Sequence, residues 1–414
     1  MGKRSSQRKS AESLGTNDDD CVSSSSADMS KLTRASGTEA VQQDSSLDSW
    51  LEALYEKRGS TREKALSLII EAFTKNLQHQ FVEKNFVTLL HQYLHSIKRG
   101  SAKEICLAAR AIGLLAMTTN CEDKAHELLE ESLRPLLEAL KSGSEISKIS
   151  HIIECLAVIT FIGDNDGEES EGVMQIIWEF ICQKTGSKSK LSPAVITTAI
   201  SSWSFILSNA KGWCLNSKNW QEAVSHFSTL LEKDDRSVRI AAGEALAILF
   251  EIGCPKIKKD YADAIQQLEW KILYQVEDLS REAGGRGSNK EDLGSQRNLF
   301  RDLLKFLRDG SCPETSMKIG GDLLNTDTWS ELIQLNFLKH FLGERFSKHM
   351  QENELLRSLF KVTLMKKHMS SSEKKLQKSQ FASWHKEMTR ALNRERNSSQ
   401  LAKSGHFAAR GSEW

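Results

Sequence analysis

The stretch DDRSVRIAAGEALAILFEIG, residues 234–253, decides the fold. Two acids and an arginine give way to small and aliphatic residues in helical rhythm, interrupted by Arg239 and Glu244. Large aliphatic side chains bury more surface per position, so Ala241, Ala242 and Ala245 make sense only where another helix approaches closely. The chain repeats the arrangement. With Ala242 as the index, STREKALSLIIEAF places Ala65 at the same point, SAKEICLAARAIGLLAM places Ala108, EISKISHIIECLAVITFIG places Ile152 and SPAVITTAISSWSFIL places Ala199. Successive index positions are 43, 44, 47 and 43 residues apart. Four residues beyond each index lies a larger apolar side chain, Ile69, Ile112, Leu156, Trp203 and Leu246, which one helical turn puts on the same face.

A helical period of about 40 to 47 residues is the signature of HEAT and armadillo arrays, whose units bury their apolar faces against one another. A single irregular helical domain would need five such matches at near-constant spacing by accident. The expected fold is therefore all-α: a HEAT/armadillo-like solenoid over residues 47–277, a linker over 278–296, a small helical C-terminal domain over 297–365 and a basic tail over 366–414. RNLFRDLLKFLRDG reads as a helix ending at Gly310, and the segment from there to about Leu364 reads as apolar helices joined by short turns. Residues 1–46, rich in Ser, Asp and Gly and including DDDCVSSSS, lack any apolar period; they read as a disordered leader open to phosphorylation.

With 414 residues, 39% hydrophobic and 27% charged, the chain is long enough for a large core. It shows no run of 18 apolar residues, and MGKRSSQRKSAES lacks the apolar centre of a signal peptide, so membrane and secretory classes are not supported and cytoplasm or nucleus is the expected location. Gly2 and Ser6 satisfy the loose N-myristoylation pattern, which is too short to carry weight. None of the eight cysteines forms a CxxC pair, and Cys106 and Cys155 fall on apolar repeat helices, as reduced thiols would. The net charge of +1 is unevenly spread: residues 361–414 hold twelve Lys or Arg against four Glu, a balance of +8, leaving −7 for the rest. Such asymmetry points to an anionic partner for the tail.

Catalytic and metal motifs fail on inspection. HQYLH sets His91 and His95 one turn apart, but Gln92 stands where a zincin requires a glutamate base. GDNDGEESEG has the acids of a calcium loop, yet placing Gly167 at the sixth position puts Ile162 where the first ligand belongs. The glycines of REAGGRGSNKEDLGSQ complete neither phosphate-loop pattern. No catalytic residue, metal ligand, cofactor or small-molecule substrate is expected.

SVRIAAGEALAILFE, QRNLFRDLLKFLRDG and the following PETSMKIGGDLLNTDTWSELIQLNFLKHFLGERFSKHMQENELLRSLF resemble the interferon-related developmental regulator family over roughly residues 47–365, and the chain looks like a plant-type member. The resemblance implies a helical, non-enzymatic regulator of gene expression, acting either as a ribosome-bound repressor of translation or as a nuclear co-regulator in transcription or deacetylase complexes, with a salt-stress link among plant members. Ribosome-bound relatives insert a C-terminal helix into a path taken by RNA. The counterpart here, SSSEKKLQKSQFASWHKEMTRALNRERNSSQ, follows their basic helix loosely and carries more aromatic and aliphatic residues.

That segment reads as a helix on physical grounds as well. Ser370 and Glu373 have capping-box spacing, and Phe381, Trp384, Met388 and Leu392 recur every three or four residues. Lys386, Arg390 and Arg394 form a basic stripe on another face. Together with Lys374, Lys375, Lys378 and Arg396 they are the candidate phosphate contacts, and Trp384 is a candidate for base stacking.

Overall fold

The computed structural model describes residues 46–119, 121–142, 145–164, 167–182, 191–209, 217–253, 262–282, 290–319 and 322–362, with Lys386, Arg390 and Arg394 of the tail. The leader lies outside these residues. A first helix, α1 (46–53), precedes two rows of helices. The inner row holds the index helices α2 (Gly59–Lys75), α4 (Ala102–Thr118), α6 (Ile146–Gly163), α8 (Pro193–Leu207) and α10 (Arg236–Ile252), each packed on the next. The outer row holds α3 (His79–Arg99), α5 (Glu122–Lys141), α7 (Glu168–Ile181), α9 (Ser217–Leu230) and α11 (Ala262–Arg281), each packed against the inner helix that follows it.

Index residues Ala108, Ile152, Ala199 and Ala242 are fully buried and Ala65 nearly so, and their larger partners one turn on are buried with them. The period of the sequence is thus the period of the solenoid. Local signals start the inner helices. Ser101 accepts a hydrogen bond from the Glu104 amide, Ser192 from Val195 with Pro193 at the first helical position, and Asp235 from Val238. Each such cap contributes about 1 kcal/mol. In GDNDGEESEG, Asp164 accepts from the amides of Gly167 and Ser170, each at 2.8 Å, so its carboxylate serves the start of α7.

Ion pairs tie neighbouring units. Arg62 of α2 grips Glu104 of α4 with both arms, Nε to Oε1 at 2.7 Å and Nη2 to Oε2 at 2.8 Å. Arg239 of α10 donates through Nη2 to Glu282 and to Gln296 Oε1, each at 3.0 Å for the nearer oxygen. α6, long and apolar enough by length and composition to cross a membrane, lies between α4, α5 and α8 as the central core helix.

Beyond the array the sequence reading needs correction. The expected linker of 278–296 is narrower: α11 runs to Arg281 and α12 (Lys290–Asp309) begins inside it. α12 packs on α10 and α11 as a sixth inner helix, so the array extends past the expected boundary at 277. It stops at Gly310, whose φ of +74° suits a residue with no Cβ. The following segment, expected to be helical, forms a hairpin of β1 (Thr315–Ile319) and β2 (Asp322–Thr326), antiparallel, with Ile319 opposite Asp322. TSMKI and DLLNT alternate in burial, and the Gly-Gly pair between them provides two-residue spacing.

Helices α13 (Trp329–Leu342), α14 (Phe346–Glu352) and α15 (Glu354–Leu359) then run back along the inner row as a strap. Glu251, near the end of α10, accepts hydrogen bonds from the Trp329 and Ser330 amides at 2.6 and 2.8 Å, a carboxylate on the positive end of α13. Phe337 stacks on Phe205 of α8 at 4.1 Å, and Phe205 on Phe161 of α6 at 4.2 Å. Arg110 of α4 lies over the Phe341 ring at 3.9 Å. Further on, Asn353 donates to the Met117 carbonyl at 2.7 Å, His349 Nε2 meets the Thr74 carbonyl at 2.9 Å and Lys348 bonds Asn76.

The strap also satisfies helix ends. The last carbonyls of a helix have no partner within it. Thr74 in α2 receives His349, Met117 in α4 receives Asn353, and Ser208 just past α8 receives Gln334 at 3.2 Å. Outside the strap, Asn209 just past α8 serves Phe161 in α6 at 3.3 Å, and Trp220 of α9 serves Leu249 in α10 at 3.0 Å.

Candidate interaction surface

The strap leaves part of the inner face open. Between the beginnings of α8 and α10 and the flank of α13 lies a cavity of about 480 Å³ whose wall includes Glu154, Thr197, Ser204, Asp235, Glu244, Asn336 and His340. Acidic and hydroxylated side chains share the wall with Pro193, Ala194, Ile333 and Phe337, and apolar surface predominates. Glu244, half-buried on α10, is pushed up to about 7 by burial, with a hydrogen bond from Asn336 pulling the other way. His340 of the strap lies 3.7 Å from Glu154 of α6, and that contact raises its pKa above the ordinary imidazole value. The hydroxyls of Thr197 and Ser204 are buried without a hydrogen-bond partner.

A second exposed feature belongs to α11. Trp270 and Tyr274, one turn apart, are 67% and 76% exposed at the end of the outer row. Large aromatics held rigidly on a helix are the residues that anchor protein interfaces.

The third feature is the tail. Lys386, Arg390 and Arg394 are helical and exposed, at the four-residue spacing that one helical turn sets. Lys374, Lys375, Lys378, Trp384 and Arg396 lie outside the described residues, as does the capping pair Ser370 and Glu373. In the array, His91 is exposed, while His95 is half-buried one turn away. Among the described residues no group of three or more His, Cys, Asp or Glu stands close enough to hold a metal ion.

The strap and its cavity were missed by sequence reasoning. Their contacts join residues as far apart as His349 and Thr74, 275 positions, and leave no periodic trace. A weak signal existed in Gly113 and Gly243, small residues inside index helices that make room for Phe341 and Phe300.

With this geometry in hand, comparison with known proteins is specific. The chain is 28% identical over 349 residues to interferon-related developmental regulator 2 of Mus musculus, an alignment covering 78% of this chain and 76% of the mouse protein. It is 26% identical over 318 residues to interferon-related developmental regulator 1 of Sus scrofa, covering 74% and 69% respectively. It is 25% identical over 320 residues to interferon-related developmental regulator 1 of Homo sapiens, covering 74% and 68%. The sequence profile of the interferon-related developmental regulator family matches residues 18–308, ending at the last inner helix, so β1 to α15 lie beyond the match. An all-α solenoid whose profile match runs through every inner helix, the chain belongs to the interferon-related developmental regulator family.

Proposed function

We propose that this protein is a non-enzymatic regulator of gene expression that docks its solenoid on the ribosome and lays its basic C-terminal helix on RNA, repressing translation in the cytoplasm. The observation that carries the reading is the stripe of Lys386, Arg390 and Arg394, helical, exposed and on one face, in a tail with a balance of +8. Cations in a row on a helix neutralise successive phosphates and release their counterions, a gain that does not depend on base sequence. The acidic body and basic tail then divide the work, since the body repels RNA and the tail attracts it. The test is sedimentation of the tagged protein through sucrose gradients. The protein is expected to travel with ribosomal subunits and to leave them on nuclease digestion or in high salt. Migration at its own size in low salt, without nuclease, contradicts the reading.

A second reading, a nuclear co-regulator that grips transcription or deacetylase complexes, draws on Trp270 and Tyr274, whose exposed rings suit a protein partner. It asks nothing of the basic stripe. Under it, Trp270→Ala with Tyr274→Ala abolishes recovery of protein partners from nuclear extract, whereas changing the stripe does not.

A further inference from the structure

The cavity beside the strap is walled by stripes of side chains at helical spacing. On α8, Thr197, Ser201 and Ser204 recur every three or four residues and turn one hydroxylated face toward it. On α13, Ile333 and Phe337 lie one turn apart and supply apolar surface. Phe337 is also the ring that stacks on Phe205 at 4.1 Å, so that wall is fixed to the array. From α10 come Asp235 at the helix head and Glu244 further along, and from α6 comes Glu154.

The three carboxylates are unequally served. Glu154 has a cationic partner in His340, at 3.7 Å. Asp235 accepts the Val238 amide at 3.1 Å, and Glu244 accepts the side chain of Asn336, both uncharged donors. Among the described residues no lysine or arginine lines the cavity. Asp235 also counters the positive end of α10, which would otherwise favour an anion there. The unpartnered hydroxyl of Ser204 is an independent sign, since that residue is only 1% exposed. A hydroxyl buried without a partner costs stability, and its place on a cavity wall points to a guest.

We propose that this cavity binds a linear alkane diammonium ion, with one ammonium at Glu244, the other at Asp235 and the methylene chain along Ile333 and Phe337. The two carboxylates are separated by about 13 Å along the axis of α10 at the rise of an α-helix. A metal ion or a short monoamine serves only one of them and leaves the apolar wall bare. A chain of methylenes between two cations covers that wall and meets both acids. The cavity's volume of about 480 Å³ falls within the range of small-molecule sites. The bound ion touches α10 of the array and α13 of the strap together, so it holds the strap in place and stabilises the folded chain.

The test titrates the full chain with butane-1,4-diamine, hexane-1,6-diamine and octane-1,8-diamine by isothermal calorimetry, with hexane-1,6-diol as the uncharged analogue. At least one diamine is expected to saturate a single site and raise the thermal midpoint, and the diol to do neither. Glu244→Gln keeps an acceptor for Asn336, and Asp235→Ser keeps a cap for Val238. Each is expected to weaken that diamine by about tenfold, the scale of one hydrogen bond to a charged group. Glu131→Gln removes an exposed carboxylate of α5 outside the cavity and is expected to leave affinity unchanged. Between pH 7.5 and 6.0 the parent should lose more affinity than Glu244→Gln, because Glu244, raised to about 7 by burial, takes up a proton there. The other titratable groups of the wall, Asp235 on the same helix, Glu154 of α6 and His340 of α13, are common to both chains. No saturable binding of any diamine, equal binding of the diol, an equal loss in Glu131→Gln or equal pH dependence of parent and Glu244→Gln would overturn the proposal.

Discussion

The ring of Phe341 closes on Gly113 so tightly that a Cβ on that glycine would stand 2.6 Å from the ring's Cζ. A residue at the end of α13 thus determines what an inner helix more than two hundred positions earlier can carry. Gly243 meets Phe300 of α12 in the same way, at 2.9 Å. Gly113→Ala is expected to displace Phe341 from beneath Arg110 and to destabilise the fold by about 1 to 3 kcal/mol, the usual cost of overpacking. Phe341→Leu in the same chain should recover part of the loss. A urea titration of the three chains is the check, and an unchanged midpoint in Gly113→Ala would show that the ring moves freely.

Ala242, buried at the centre of α10, makes the same demand within the array. Ala242→Leu is expected to cost about 1 to 3 kcal/mol by overpacking, read as a lower thermal midpoint. An unaltered melt would place Ala242 at the surface.

Arg62 and Glu104 join the first two units across a nearly dry contact, Glu104 being 1% exposed. Removing one member of a buried pair strands the other charge, which costs about 3 to 5 kcal/mol. Arg62→Met is expected to destabilise on that scale, while Arg62→Met with Glu104→Leu should recover much of it. Chemical denaturation distinguishes the two, and equal losses would deny the pairing.

His349 is buried in the strap, with Nε2 on the Thr74 carbonyl and Nδ1 without a partner. Burial, ahead of the opposing Thr74 hydrogen bond, lowers its pKa below the ordinary 6.5. The folded state therefore refuses a proton that the unfolded chain accepts just below pH 6.5, and stability present above that pH is lost as pH falls toward the depressed folded value. His349→Gln keeps a donor for Thr74 and does not titrate. Thermal midpoints at pH 7.5 and 5.5 should fall further in the parent than in the variant, and equal falls would remove His349 from the account.

How much of this was legible in the sequence follows from range and periodicity. The five index residues and their partners were readable because each helix repeats a local pattern every 43 to 47 positions. Gly310 as a helix end was readable because its chemistry is local. The hairpin carried a signal, alternation either side of Gly320 and Gly321, overridden by the helical pattern around it. Glycines at 284, 285 and 287 suggested a longer break than exists, whereas Gln296 is fully buried in α12 under Arg239. The strap was out of reach, since its caps and aromatic stacks join segments with no shared pattern. The basic stripe was readable in composition and spacing alone.

The central claim rests on that stripe. For single-stranded RNA, the slope of log affinity against log salt is about −0.7 for each phosphate neutralised. Changing Lys386, Arg390 and Arg394 together to Gln preserves helix propensity and removes three charges. The decisive measurement is ribosome affinity of parent and triple variant as a function of salt. The account predicts weaker binding by the variant and a slope flatter by about 2. Identical affinity and slope in the two chains would contradict it, leaving the stripe a solvated face and the nuclear reading in front.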